Sequence, residues 1–122
     1  MKKKILIIED DSFLIDLYKT KLEKEDFEVE VAESGEKGLE KLKEKDFDLL
    51  VLDIVLPKLN GFEILEKIKE EKNKKNLKII VLSNLSQKEE IKRALSFGVE
   101  KYLIKAYFTL AEVIEEIKKI FK

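Results

Sequence analysis

Short apolar runs and longer amphipathic stretches alternate along this chain, and the alternation recurs five times. Lys4-Ile5-Leu6-Ile7-Ile8 is a β-branched apolar run broken by Glu9-Asp10-Asp11-Ser12. Leu14, Leu17, Tyr18 and Leu22 then recur at helical spacing, which predicts a helix from about Ser12 to Glu25, with Asp11 as its cap. Phe27, Val29 and Val31 alternate with Glu28 and Glu30, a period-two strand with one wet face. Ser34 is placed to cap a helix that turns Leu39 and Leu42 inward. Leu49-Leu50-Val51-Leu52 end at Asp53, and Pro57 with Asn60-Gly61 forces a loop before a helix carrying Phe62, Leu65 and Ile68. Lys72 to Lys78 reads as a basic connector. Ile79-Ile80-Val81-Leu82 is a third fully apolar run, ending at Ser83. Ser86 with Glu89 predicts a capping box, and Phe97-Gly98 the stop of a helix whose apolar stripe is only Ile91, Ala94 and Leu95. Tyr102-Leu103-Ile104 is a short strand ending at Lys105. Thr109 with Glu112 caps a last helix lined by Leu110, Val113, Ile114, Ile117 and Phe121.

Strands that alternate with helices form a parallel sheet covered on both faces. The first, third and fourth strands are apolar throughout and belong in the centre; the second alternates and the fifth is short, so both are edges. That is the flavodoxin-like order 2-1-3-4-5, an α/β three-layer sandwich formed by residues 1–122 as one domain. Parallel strands all point their carboxyl ends the same way. Glu9, Asp10, Asp53, Ser83 and Lys105 therefore converge on one rim.

Composition narrows the chemistry of that rim. The 122 residues can bury about two-thirds of the unfolded surface, so neither disulfide nor structural metal is needed to fold. Without cysteine or histidine there is no thiol nucleophile, imidazole base or zinc knuckle. Lys+Arg 25 against Asp+Glu 26 leaves a net charge of -1, which argues against bulk-charge contact with nucleic acid. Lys2 to Lys4 precede too few apolar residues for a signal peptide or membrane span, so a cytoplasmic location is expected. Carboxylates gathered without nitrogen or sulfur make a hard oxygen site suited to Mg²⁺. An aspartate can attack phosphorus, a serine hydroxyl can donate to a phosphoryl oxygen, and a lysine can neutralise one. No glycine-rich turn follows the first strand, which disfavours a dinucleotide site.

In this order and spacing the residues resemble the receiver domains of two-component response regulators over the whole chain. The likeness rests on the acidic pair Glu9-Asp10, on Asp53 in DIVLPKLNG, on Ser83, Tyr102 and Lys105. It implies that Asp53 accepts phosphate from a phosphohistidine on a sensor histidine kinase or phosphotransfer protein. It implies Mg²⁺ held by Asp10, Asp53 and the backbone carbonyl of Val55, with Glu9 acting through a metal-bound water. Lys105 and Ser83 would engage the phosphoryl oxygens, Tyr102 would swing inward with Ser83, and the altered face would be the fourth helix, fifth strand and fifth helix.

Some positions depart from the family pattern. The usual proline after the lysine, often preceded by a cis bond, is Ala106, where a cis peptide costs about 2.5–4 kcal/mol. Lys105 is then either held under strain or placed differently. Asn84 stands where a small residue is usual and is positioned to crowd or bond a phosphoryl group. Val55 and Leu85, both apolar, predict slow loss of the phosphoryl group. The expected output is that of a single-domain regulator with no output domain, signalling to a downstream protein as a monomer or phosphorylation-dependent dimer, with no direct contact to nucleic acid or membrane. The alternatives are a phosphorylation-independent interaction module, or a receiver excised from or designed after a longer regulator. A phosphatase using an aspartyl intermediate is disfavoured, because Val55 stands where it would need a second aspartate.

Overall fold

In the computed structural model, which describes residues 1–71 and 74–122, the apolar runs are strands and the amphipathic stretches helices. The order is β1 (Lys4–Ile8), α1 (Ser12–Lys24), β2 (Glu28–Ala32), α2 (Gly35–Glu44), β3 (Leu49–Leu52), α3 (Gly61–Glu70), β4 (Lys78–Ser83), α4 (Lys88–Leu95), β5 (Lys101–Ile104) and α5 (Leu110–Ile120). A 3-10 turn, Lys105–Tyr107, connects β5 to α5. All strand pairs are parallel and the sheet order is β2-β1-β3-β4-β5, as the strand compositions predicted. The start of the basic connector, residues 72 and 73, lies outside the described residues. Among the described residues no helix is long and apolar enough to cross a membrane.

The central strands are apolar between their ends, with Lys4 and Lys78 exposed where β1 and β4 begin, because each face of the sheet meets a helical layer. Successive side chains of a strand point to opposite faces. Leu6, Ile8, Leu50, Leu52 and Val81 pack with Leu42, Phe62 and Leu65, on the side of α2, α3 and α4. Ile5, Ile7, Leu49, Val51 and Ile80 pack with Tyr18, Leu22 and Ile117, on the side of α1 and α5. Each such side chain contributes about 1.5–3 kcal/mol by leaving water. At the edge strand β2, Glu30 accepts from Lys41 Nζ at 3.0 Å and from Lys45 Nζ at 2.5 Å.

The caps on α1, α2 and α5 are those the sequence predicted: Asp11 accepts from Phe13 N and Leu14 N, Ser34 from Lys37 N, and Thr109 exchanges bonds with Glu112. Asn60, read only as a turn residue, also caps α3 through a box with Glu63. The Ser86–Glu89 box does not form. Helix α4 starts at Lys88, with Gln87 at its N-cap making no side-chain bond. The loop before it is tied sideways to β5 and the turn beyond, by Tyr102 Oη donating to Leu85 O at 2.5 Å and Ala106 N to Asn84 Oδ1 at 3.0 Å. Those ties hold Ser86 in the loop, outside the first helical turn. Leu95 also departs from the expected stripe, being 46% exposed, so Ala94 is the fully buried residue of α4. The Arg93 guanidinium stacked 4.1 Å from the Phe62 ring centroid supplements this thin contact with α3. Gly98, with φ +83°, ends the segment in the left-handed conformation that glycine adopts without steric cost.

Register positions the rim. Ile8 pairs with Leu52, so Glu9 and Asp53 emerge side by side from β1 and β3. Ser83 pairs with Ile104, which brings Lys105 one residue past the end of β4.

Candidate functional site

Among the described residues the buried polar side chains are Glu9, Asp53 and Ser83, at 3%, 6% and 0% exposure, and all three lie at this rim. A buried charge is tolerated only when paired and hydrogen-bonded. Here the cation is Lys105. Its Nζ donates to Asp53 Oδ2 at 2.8 Å and also to Glu9 Oε1. The second oxygen of each carboxylate is held by backbone: Val55 N donates to Asp53 Oδ1 at 3.1 Å, and Asp11 N to Glu9 Oε2 at 3.1 Å. Both carboxylates are thus fixed at both oxygens, one by the protein frame and one by a removable charge.

Burial pushes the Glu9 carboxyl above its ordinary pKa, and the hydrogen bond from Lys105 only partly offsets this. Burial pulls the Lys105 ammonium the other way, but its bonds to Asp53 and Glu9 outweigh the desolvation and leave its pKa raised. Asp10 stands exposed beside them. One oxygen from each of Glu9, Asp10 and Asp53 lies within 4.8 Å of the others. This all-oxygen, acidic set fits a hard divalent cation such as Mg²⁺.

The loop after Asp53 owes its shape to Gly61. A Cβ there would lie 2.6 Å from Ile54 Cα and 2.7 Å from the Asp53 carbonyl oxygen, so glycine alone lets α3 begin against this backbone. Gly61 N donates to Ile54 O at 2.9 Å and seals the contact. Lys58, in the same loop, has φ +64°, a left-handed setting that costs a non-glycine residue about 1–2 kcal/mol.

Ser83 Oγ accepts from Leu85 N at 3.3 Å, and the Tyr102 hydroxyl closes on the Leu85 carbonyl. Tyr102 therefore meets Ser83's loop rather than Asp53 itself, and burial pushes its phenol pKa up. The Lys105–Ala106 peptide is trans, and Lys105 still reaches both carboxylates. Asn84 spends its side-chain oxygen on Ala106 N. Sequence reasoning found the residues of the rim but missed two of its bonds, the direct Lys105–Glu9 contact and the Asn84–Ala106 link. A signal for the second was present: both departures from the family pattern directly follow rim residues.

Comparison with known proteins agrees with this geometry. The model of the response regulator receiver domain family matches residues 5–118. The response regulator ArlR of Staphylococcus saprophyticus is 31% identical over 119 residues, covering 98% of this chain and 52% of its own length. The chain spans about half the length of the curated relatives it matches. A CheY-like receiver domain protein from Methanospirillum hungatei superposes with a TM-score of 0.89 at 33% identity, over 98% of this chain and 93% of that one. The response regulator TrrA from Thermotoga maritima, solved in complex with Mg(2+)-BeF, gives a TM-score of 0.80 at 32% identity, over 96% and 97%. With the match running through every strand and the acidic rim at its expected end, the chain belongs to the response regulator receiver domain family.

Proposed function

We propose that Asp53 accepts a phosphoryl group from a phosphohistidine on a sensor histidine kinase or phosphotransfer protein. The observation that carries this reading is the Lys105 ammonium shared between Asp53 and Glu9, in a rim that also holds a third carboxylate and a buried serine. The TrrA complex with Mg(2+)-BeF lends it further support.

In the transfer, an Asp53 carboxylate oxygen forms the new O–P bond while the N–P bond of the donor breaks, and the departing imidazole takes up a proton. Val55 N–H on Oδ1 keeps the carboxylate in one orientation for attack. Lys105 exchanges its carboxylate partners for the incoming phosphoryl oxygens, and Ser83 Oγ, still accepting from Leu85 N, donates its hydroxyl hydrogen to another. Asp10, Asp53 and the Val55 carbonyl would hold Mg²⁺, with Glu9 acting through a water, and the ion would supply charge neutralisation on the phosphoryl group. Movement of Ser83 carries the Leu85 carbonyl with it, and Tyr102 follows through its hydroxyl. The altered face is α4, β5 and α5, read by a downstream protein. Helix α4 suits this part because its only fully buried residue is Ala94.

Incubation with Mg²⁺ and acetyl phosphate, read by intact mass, tests the proposal. One phosphate on the parent and none on Asp53→Ala is the expected result. A parent that takes no phosphate and forms no beryllofluoride complex would overturn it in favour of a phosphorylation-independent interaction module.

A further inference from the structure

We infer that Asn84 is a positioning residue for Lys105, acting through the backbone N–H of Ala106. The inference rests on the proposed role of Asp53 only in its kinetic consequence. Asn84 directly follows Ser83 and Ala106 directly follows Lys105, and the bond between them, 3.0 Å long, joins two loops 22 residues apart in sequence.

The turn Lys105–Tyr107 explains why such a bond is needed. The first N–H groups of a helical turn have no partner within it, and a side-chain oxygen at the N-cap normally answers one of them. The N-cap of this turn is Ile104, which makes no side-chain bond. Asn84 supplies the missing acceptor from across the rim. The turn is otherwise lightly held. Phe108 N returns to Lys105 O at 3.3 Å, and Ala106 and Tyr107 are exposed.

The Lys105 side chain amplifies any play in that turn. Its ammonium sits at the end of a flexible four-carbon stem, so the backbone setting decides whether it meets the carboxylates. Lys105, Ala106 and Asn84 also line a cavity of about 300 Å³ with Leu14 and Tyr18 of α1. That space would admit the lysine stem if the turn came loose. Capping by Asn84 keeps Lys105 directed at Asp53 Oδ2, and it obliges Ser83 and Lys105, on neighbouring strand ends, to move as one unit. Ala106 is part of the same device. A proline there would lack the N–H and would disfavour the helical setting of Lys105.

The test compares the parent with Asn84→Ala and with Asn84→Asp, which keeps an acceptor oxygen. By NMR without phosphodonor, the Ala106 amide should exchange about fivefold faster in Asn84→Ala, the loss of one ordinary hydrogen bond, and stay protected in Asn84→Asp. The Lys105 ammonium signal, sharp where two carboxylates hold it, should broaden in Asn84→Ala alone. Labelling by acetyl phosphate with Mg²⁺ should slow about fivefold in Asn84→Ala, yet the same substitution should change nothing in a Lys105→Met background. Equal Ala106 exchange in parent and Asn84→Ala, an unchanged Lys105 signal, or equal slowing with and without Lys105 would each overturn the inference. A parent that takes no phosphate and forms no beryllofluoride complex would remove the phosphoacceptor reading, and the two NMR signals would then decide the role of Asn84.

Discussion

Replacing Lys105 by methionine tests the electrostatics of the rim directly. Methionine keeps the length and apolar stem of the lysine and removes the charge. The carboxylates of Glu9 and Asp53 then face each other almost wholly buried, with oxygens no more than 4.8 Å apart. At an effective dielectric constant of about 20, two unit charges at that distance repel by about 3.5 kcal/mol. Removing one member of a buried ion pair costs about 3–5 kcal/mol in general, so the two routes agree. Lys105→Met should therefore lose about 3 kcal/mol of unfolding free energy in urea at neutral pH with a chelator present.

Two conditions should return part of that loss. At one shared Mg²⁺ concentration, a hundredfold the parent's dissociation constant, the parent should gain about 2.7 kcal/mol and the variant more, because no lysine competes for the carboxylates. Acid is the second. Glu9 is already pushed up by burial, and without Lys105 nothing from that side pulls it back. An acid whose folded pKa is raised contributes stability fully present below its unfolded value, near 4.3, and lost as pH rises through the folded value. The variant should therefore recover relative to the parent as pH falls from neutral towards that value. Equal urea midpoints for parent and variant in chelator, or a deficit that neither Mg²⁺ nor acid reduces, would refute the account.

Other perturbations reach different parts of the same frame. Gly61→Ala should cost about 1–3 kcal/mol in urea, a loss that Mg²⁺ does not repair, because the added Cβ meets backbone at Ile54 and Asp53. The Glu30 carboxyl is held below its ordinary pKa by the hydrogen bond from Lys45 and then that from Lys41. Its contribution is present above the unfolded value and lost as pH falls through the folded one, so the stability gap between parent and Glu30→Gln should be widest at neutral pH and close in acid. Val55, which bonds Asp53 through its N–H and is 59% exposed, offers water no hydrogen-bonding side chain, so the phosphorylated protein should persist for minutes or longer and Val55→Asn should shorten that lifetime. A parent lifetime of seconds, followed by intact mass after removal of phosphodonor, would contradict this.

The fold was legible because burial on both faces leaves no room for polar residues. Leu49-Leu50-Val51-Leu52 could only be a central strand, and Glu28 and Glu30 placed β2 at an edge. Caps were legible where the capping residue answers only its own helix, as Ser34 and Thr109 do. Ser86 failed because its loop answers first to Tyr102 and Ala106, partners about 20 residues away that no local pattern encodes. Leu95 failed for a related reason. Helical spacing says which residues share a face but not whether a neighbouring layer reaches far enough to cover it, and here α4 overhangs at Leu95.

The rim shows the same division between chemistry and reach. Strand ends identify Glu9, Asp53 and Lys105 as rim residues, but which of them touch depends on distances across the sheet. Neighbouring strands lie about 4.8 Å apart, so β5 and β3, separated by β4, are about 10 Å apart, and β1 is one spacing further. Lys105 has the longest stem in the set and stands on the far strand. Asp53, on the nearer partner strand, meets it with a short side chain, and Glu9, one strand beyond, carries the extra methylene. The end of β4 between them carries Ser83, small enough for the lysine stem to pass. Side-chain length increasing with strand separation turns separate strand ends into a single site in which one ammonium bridges two buried carboxylates. That relation becomes readable from sequence once strand order is known, because order converts residue identity into reach.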